Sequence, residues 1–136
     1  MKCYHGSPSK IEILVPRQAR GNSQFQNLNA VFLTDNLFEA KLYAIGKSLK
    51  GKTQFGVNKK NLIIVGYVQL NKAGYVYEFN IPKEELIAGK EKSDIGVYAY
   101  QKPLRTKEPI VVNLNEIKEH IIYVQNESEL IKILYE

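Results

Sequence analysis

The sequence predicts an α+β domain built around mainly antiparallel β-sheet. Runs rich in β-branched and aromatic residues recur along the chain and are typical of strands. Only one early segment and the last segment have the apolar spacing of full helices. The order of one strand, one helix and then many strands does not follow the regular alternation of a doubly wound parallel sheet. We expect a single domain over residues 1–136.

The first part of the chain contributes two strands and a long loop. A strand over Met1–His5 runs into the turn GSPSK, and AVFLT forms a second short strand. Between them, Pro16 ends an apolar stretch and Gly21 interrupts a segment rich in Gln and Asn. We expect this polar loop to surround a ligand.

A helix follows the second strand. In DNLFEAKLYAIGKSL the apolar residues recur near helical spacing. Thr34 or Asp35 is placed to cap its first free N–H groups, and Gly46 or Gly51 is placed to end it.

The second half of the chain is mostly strands. LIIVGYVQL and GYVYEFNIP, separated by NKAG, have the pattern of a hairpin. DIGVYAYQ, EPIVVNL and HIIYVQ predict three further strands, with short helical turns at PKEELIAG and LNEIKEH. NESELIKILYE predicts a last helix, capped by Asn126 or Ser128.

Composition and simple sequence patterns exclude several classes of protein. Hydrophobic residues make up 44% and charged residues 24%, which argues against disorder. Cys3 is the one cysteine, and no Cys/His cluster has metal-ligand spacing, so we expect neither a disulfide nor a metal site. The sequence has no membrane-length apolar run and no signal-peptide pattern, which predicts a cytoplasmic protein without a membrane partner.

The positive charge is concentrated in one region. The net charge is +5, and five lysines lie close together in the sequence: Lys47, Lys50, Lys52, Lys59 and Lys60. Such a cluster can attract a nucleic acid, although most short lysine-rich stretches are solvated loops.

Three short motifs stand apart from this scaffold: YHGS at the end of the first strand, VFLTDNLFEAKLYA across the second strand and helix, and RTKEPIVV at a late strand. Their order along the chain resembles the ADP-ribosyltransferase family, in the diphtheria-toxin-like branch with an H-Y-E triad. The resemblance implies two packed, mainly antiparallel sheets with flanking helices around a cleft for NAD, the co-substrate.

The resemblance also implies roles for the residues around NAD. His5 would bond a ribose hydroxyl, and the backbone of Gly6 would pair with the nicotinamide carboxamide. Tyr43 would stack on the nicotinamide ring. Phe32 stands where the family's triad tyrosine usually lies, and Ala40 stands where relatives often carry a serine. These two residues depart from the pattern.

Glu108 is the carboxylate that the resemblance assigns to catalysis, with His5 and Tyr43 completing the catalytic set. Cleavage of the bond between nicotinamide and ribose passes through an oxocarbenium-like state. A carboxylate at the 2′-hydroxyl is most stabilising when that positive charge develops, which raises the rate rather than the affinity.

Further residues receive secondary roles. Arg17 and Arg20 would hold the NAD pyrophosphate or lie in a solvated basic loop. Ser7 would reach the cofactor or only stabilise its turn. By family analogy the loop with Arg105 and Thr106 would help to select the acceptor. The threonine at position 106 makes an arginine side chain a less favoured acceptor of ADP-ribose.

Three functions remain open at this point. The leading one is a mono-ADP-ribosyltransferase that acts on a macromolecule, either protein or nucleic acid. The second is a non-catalytic module with the same fold that binds NAD or ADP-ribose. The third is an NAD-using RNA 2′-phosphotransferase, whose expected set of site arginines is not evident.

Overall fold

The computed structural model describes residues 1–19, 21 and 23–135. The strands within these ranges are β1 (Lys2–Ser7), β2 (Ile13–Leu14), β3 (Arg17–Gln18), β4 (Asn29–Thr34), β5 (Phe55–Val57), β6 (Leu62–Val65), β7 (Ala73–Asn80), β8 (Ile87–Ala88), β9 (Val97–Tyr100), β10 (Leu104–Arg105), β11 (Ile110–Asn113) and β12 (Ile121–Val124). The α-helices there are α1 (Leu37–Gly46), α2 (Leu114–Ile117) and α3 (Glu127–Leu134). The predicted α+β class with mostly antiparallel sheet is confirmed.

The largest sheet has seven strands, and β1 lies inside it. Its order is β11-β7-β1-β4-β9-β8, with β3 added beside β4, and its neighbouring strands are antiparallel. In β1, His5 stands opposite Tyr77 and Gly6 opposite Val76. The first predicted motif therefore lies in the middle of the main sheet.

The predicted hairpin between LIIV and YVYEF is wrong. Strand β6 pairs with β5 and, in parallel, with β12, whereas β7 pairs with β1 and β11. Leu62, Ile63 and Ile64 are all fully buried. A continuous apolar run of this kind needs cover on both faces and is typical of an interior strand, so β6 lies at the centre of a separate three-stranded sheet.

Helix α1 packs across β1 and β7. Leu42 and Ile45 of the helix are fully buried and share one core cluster with Val76 and Val112 of the sheet. The close packing depends on Gly6, because a β-carbon there would lie 2.2 Å from the backbone oxygen of Ala40. The main sheet and α1 thereby form one wall on which the candidate site is built.

The start of α1 differs from the prediction by one or two residues. Its N-cap is Asn36, whose Oδ1 accepts a 3.0 Å hydrogen bond from the backbone N–H of Glu39. Thr34 instead accepts a bond at Oγ1 from the backbone N–H of Asn36, 3.1 Å away. The helix ends at Gly46, one of the two glycines predicted to end it.

Replacing Asn36 with alanine is expected to destabilise the protein by about 1 kcal/mol, because the N–H of Glu39 loses its side-chain acceptor. Asn36→Ser keeps an acceptor and is expected to recover most of that loss. Urea denaturation of the three proteins measures the difference. Equal stabilities of Asn36→Ala and the wild type would show that this cap contributes nothing.

The later elements follow the sequence more closely. The short helical turns and α3 form where they were predicted, and Asn126 caps α3 by accepting a 3.0 Å bond from the N–H of Glu129. In the portions of the chain that the structure describes, no helix has the length and apolar character required to cross a membrane.

Candidate functional site

A cavity of about 740 Å³ opens beside the central strands of the main sheet. It lies where the ends of β1 and β4, one face of α1, strand β5 and the end of α3 come together. Six aromatic side chains contribute to its lining: Tyr4, Phe25, Phe32, Tyr43, Phe55 and Tyr135. The cavity is therefore suited to planar, partly apolar ligands.

Helix α1 and the residue that directly follows it supply three functional side chains to this cavity. Glu39, Tyr43 and Lys47 follow one another at intervals of four residues and all line it. Because residues four apart share a face of a helix, this acid, aromatic and base form a row. Leu42 and Ile45 occupy the buried side of the same helix.

His5 and Lys47 form a hydrogen-bonded pair at one end of the row. The carbonyl oxygen of Phe32 lies 2.9 Å from His5 Nδ1 and can only accept, so Nδ1 carries the proton. His5 Nε2 therefore accepts from Lys47 Nζ, 3.4 Å away. Lys47 Nζ also donates to the carbonyl oxygen of Gly6 at 2.7 Å and lies 5.8 Å from the centre of the Tyr43 ring.

Burial controls the charge of this pair. Desolvation, followed by the nearby positive charge of Lys47, lowers the pKa of His5 to about 3, so the imidazole is neutral at physiological pH. Desolvation, followed by the charge of Lys50, lowers the pKa of Lys47 to about 7. Lys47 can thus gain or lose its proton near neutral pH.

Two buried carboxylates lie in the same cavity, Glu39 at 5% exposure and Asp94 at 3%. Asp94 accepts hydrogen bonds at both oxygens, from Gln26 Nε2 at 2.8 Å and from Ser23 Oγ at 3.4 Å. Burial raises the pKa of Glu39, and a side-chain hydrogen bond with Thr34 opposes that shift. Asp94 therefore joins the loop of Ser23 and Gln26 to the segment before β9, and Glu39 is hydrogen-bonded to Thr34.

Tyr43 lies between these charges. Its pKa is raised first by burial and then by the negative charges of Glu39 and Asp94. Both carboxylates are therefore close enough to act on the same part of the cavity.

Four of the predicted NAD-contacting residues meet in this cavity: His5, Gly6, Phe32 and Tyr43. They come from β1, β4 and α1, which are separated in sequence and adjacent in the fold. Phe32 also packs edge-on against Phe25, with ring centres 5.5 Å apart.

Other predicted site residues lie elsewhere. Glu108 is exposed in the segment before β11 and is not among the described residues that line the cavity. Arg17 is exposed on β3, which pairs with β4. Arg20 lies outside the described residues. Among the described residues, the cavity lining therefore includes neither the expected glutamate, Glu108, nor Arg17.

Three more predicted residues have local contacts. Ser7 is buried, and its Oγ donates to the carbonyl oxygen of Ser9 at 2.7 Å, which is the turn role considered above. Thr106 Oγ1 donates to the carbonyl oxygen of Ile11 at 2.6 Å and helps hold β10 beside β2. Arg105 is exposed on β10.

The predicted lysine cluster divides into two parts. Lys47 is half-buried and belongs to the cavity wall. The other four, Lys50, Lys52, Lys59 and Lys60, are exposed, and Lys59 also reaches the cavity.

Sequence reasoning missed Glu39, Lys47 and Asp94 as cavity residues. For the first two a signal was present, since a tyrosine placed on one face of a helix brings the residues four before and four after it to that face. Lys47 was instead grouped with the lysines of the following loop. No local signal identified Asp94, because its place depends on contacts with Ser23 and Gln26, far away in sequence.

Comparisons of the chain with protein-family models, with curated proteins and with solved structures gave no match.

Proposed function

We propose that this protein is an NAD-dependent mono-ADP-ribosyltransferase with the corresponding fold. The observation that supports the proposal is the convergence of His5, Gly6, Phe32 and Tyr43 on one cavity. These are residues that the sequence resemblance implies around NAD, and such roles require them to line one cavity.

The residues of the cavity fit a dinucleotide in size and chemistry. Its volume of about 740 Å³ falls within the usual range of small-molecule sites. Tyr43 and Phe32 supply aromatic rings to the lining for contact with a planar base, and Lys47, Lys59 and Lys92 offer positive charge to phosphate groups.

In the proposed reaction, the bond between C1 of the ribose and the nicotinamide nitrogen breaks. Its electron pair leaves with nicotinamide, which becomes neutral, and the acceptor donates a pair to C1 and loses a proton. A carboxylate at the 2′-hydroxyl stabilises the positive charge that develops on the ribose. Glu39 lies on the cavity wall and Glu108 does not, so we assign this role to Glu39.

The acceptor in this proposal is a macromolecule, either a protein or a nucleic acid. The exposed lysines Lys50, Lys52, Lys59 and Lys60 favour contact with phosphates. Binding of RNA or DNA through them would weaken steeply as salt is added, whereas binding of a protein acceptor through apolar contacts would change little.

A non-catalytic module that binds NAD or ADP-ribose is the second candidate. Two observations favour it. Glu108 lies away from the cavity, and His5 Nε2 already accepts from Lys47 instead of being available to bond a ribose hydroxyl as an acceptor.

Release of nicotinamide from NAD by the purified protein, with and without cell extract, separates the two candidates. The transferase is expected to release nicotinamide and to label protein or nucleic acid with ADP-ribose. Tyr43→Leu is expected to lower that release at least tenfold through loss of aromatic contact with the ligand. Tyr67→Leu, at a side chain that is 89% exposed and outside the cavity lining, is the matched control.

Absence of release from the wild type in every condition would reject the transferase. If ADP-ribose then still raised the melting temperature of the wild type and not that of Tyr43→Leu, the binding module would be the better description.

A further inference from the structure

Lys47 is a half-buried residue whose amino group forms no ion pair with any acidic residue that the structure describes. The ion pairs among the described residues join Lys41 to Glu116 and Lys102 to Glu85, and neither reaches the cavity. The two groups that accept from Lys47 Nζ are the carbonyl oxygen of Gly6 and the imidazole of His5, both uncharged. An ammonium has three N–H donors, so the structure accounts for two of them.

A charge in such a position is unfavourable unless a ligand supplies the opposite charge. Removing an ammonium group from water costs several kcal/mol, and neutral acceptors offset only part of that cost. The side chain nevertheless reaches the wall of a cavity large enough for a nucleotide. The arrangement is typical of a preformed site for an anion.

We propose that Lys47 binds a phosphate oxygen of the ligand, and that His5 positions Lys47 for this contact. The anion class is a pyrophosphate or a phosphate ester. The identity of the nucleotide rests on the proposed function. The binding of a phosphate by Lys47 does not depend on it. It replaces the expected role of Arg17, which is exposed and outside the cavity lining.

The row that begins on α1 separates Lys47 from Glu39. Lys47 follows Glu39 by eight residues, which corresponds to about 12 Å along a helix axis. A ligand bound along the row could therefore place its phosphates near Lys47 without facing the carboxylate of Glu39. Tyr43, between the two, is placed to contact the portion of the ligand that joins them.

Binding of a phosphate would change the protonation of Lys47. A neighbouring anion stabilises the ammonium form and raises its pKa from about 7. Below pH 7 the free protein already carries this proton, so affinity changes little there. Above pH 7 the ligand must bind together with a proton, and the affinity falls as the pH rises.

The other charged or titratable groups around this site lie on several elements: Tyr4 and His5 on β1, Glu39 and Tyr43 on α1, Lys50 after α1, Lys59 in the β5–β6 turn, Lys92 and Asp94 before β9, and Tyr135 after α3. His5 remains neutral over this range because its pKa is about 3. The raised pKa of Tyr43 keeps its hydroxyl protonated.

Calorimetric titration with ADP-ribose tests the proposal, because the charge of its two phosphates is constant near neutral pH. Wild type is expected to bind about tenfold more weakly at about pH 8.5 than at about pH 6.5 and to take up a proton at the higher pH. Lys47→Met is expected to bind at least tenfold more weakly at about pH 6.5 and to show no proton uptake. Lys47→Arg is expected to retain affinity and to lose the pH dependence, because a guanidinium stays charged.

Lys72→Met is the control for general loss of positive charge, since Lys72 is exposed, does not line the cavity and is not among the charges that shift the pKa of Lys47. It is expected to retain the proton uptake. Inorganic pyrophosphate, tested by its effect on the melting temperature, probes the anion site without a nucleoside.

Equal binding of ADP-ribose by wild type and Lys47→Met would overturn the proposal, as would wild-type binding without proton uptake at the higher pH. Failure of the wild type to bind either ADP-ribose or inorganic pyrophosphate would also overturn it. Binding that depends on Lys47 without any nicotinamide release would instead reject the transferase and leave the phosphate site standing.

Discussion

Replacing Glu39 with glutamine is expected to slow nicotinamide release about 100-fold or more. The change keeps the size and the hydrogen-bonding capacity of the side chain but removes the negative charge that would stabilise the developing cation on the ribose. Burial raises the pKa of Glu39, so a neutral amide at this position is compatible with folding. The raised pKa also predicts that wild-type activity is lost on acidification. The loss is expected at a higher pH than for a glutamate with an ordinary pKa.

Glu108→Gln is the matched control, because Glu108 is exposed and lies outside the cavity lining. It is expected to leave the release rate within about twofold. Steady-state rates measured across pH for the three proteins decide between the two glutamates. Loss of activity in Glu108→Gln together with an active Glu39→Gln would return the role to Glu108.

Replacing Gly6 with alanine is expected to destabilise the protein by about 3 kcal/mol or more. An added β-carbon would lie 2.2 Å from the backbone oxygen of Ala40 and 2.7 Å from the backbone nitrogen of Ala44. Backbone atoms cannot turn aside as a flexible side chain can, so α1 would have to move away from β1. Thermal and urea denaturation are expected to show a melting temperature lower by roughly 10 °C.

Gly51→Ala provides a comparison with a different physical cause. Gly51 has a φ of +79°, and no atom lies within 4 Å of the place that a β-carbon would take, so alanine there meets conformational strain without a clash. The expected cost is about 1 kcal/mol. If Gly6→Ala were no more destabilising than Gly51→Ala, the close packing of β1 on α1 would not be the reason for glycine at position 6.

Local sequence patterns predicted most of the helices and strands, but they did not predict every pairing between strands. The helical spacing before Gly46 and the cap at Asn126 are properties of neighbouring residues, and both were found where expected. The pairing of β6 with β12 depends on which distant strand covers an apolar run. The turn-like NKAG segment favoured the nearest strand instead, and tertiary packing overrode that local signal.

The candidate site was likewise predicted only in part, because local motifs identify some of its residues and the fold determines the others. His5, Gly6, Phe32 and Tyr43 could be identified from motifs and share one cavity. The exposure of Glu108 could not be predicted, since the position of a residue ahead of a strand depends on where that strand enters the sheet. Burial of Lys47, which shifts its pKa, is likewise a property of the folded chain alone.

The pairing of distant strands also determines when the chain can fold. Lys2 stands opposite Asn80 across β1 and β7, and Ile121 stands opposite Leu62 across β12 and β6. Closing such long loops is entropically costly, and proteins dominated by these contacts fold in milliseconds to seconds rather than microseconds. During synthesis, β1 must wait for β7 to leave the ribosome and β6 must wait for β12. The cavity lining includes Lys92, Asp94 and Leu134, so the cavity is completed late, after most of the protein has been made.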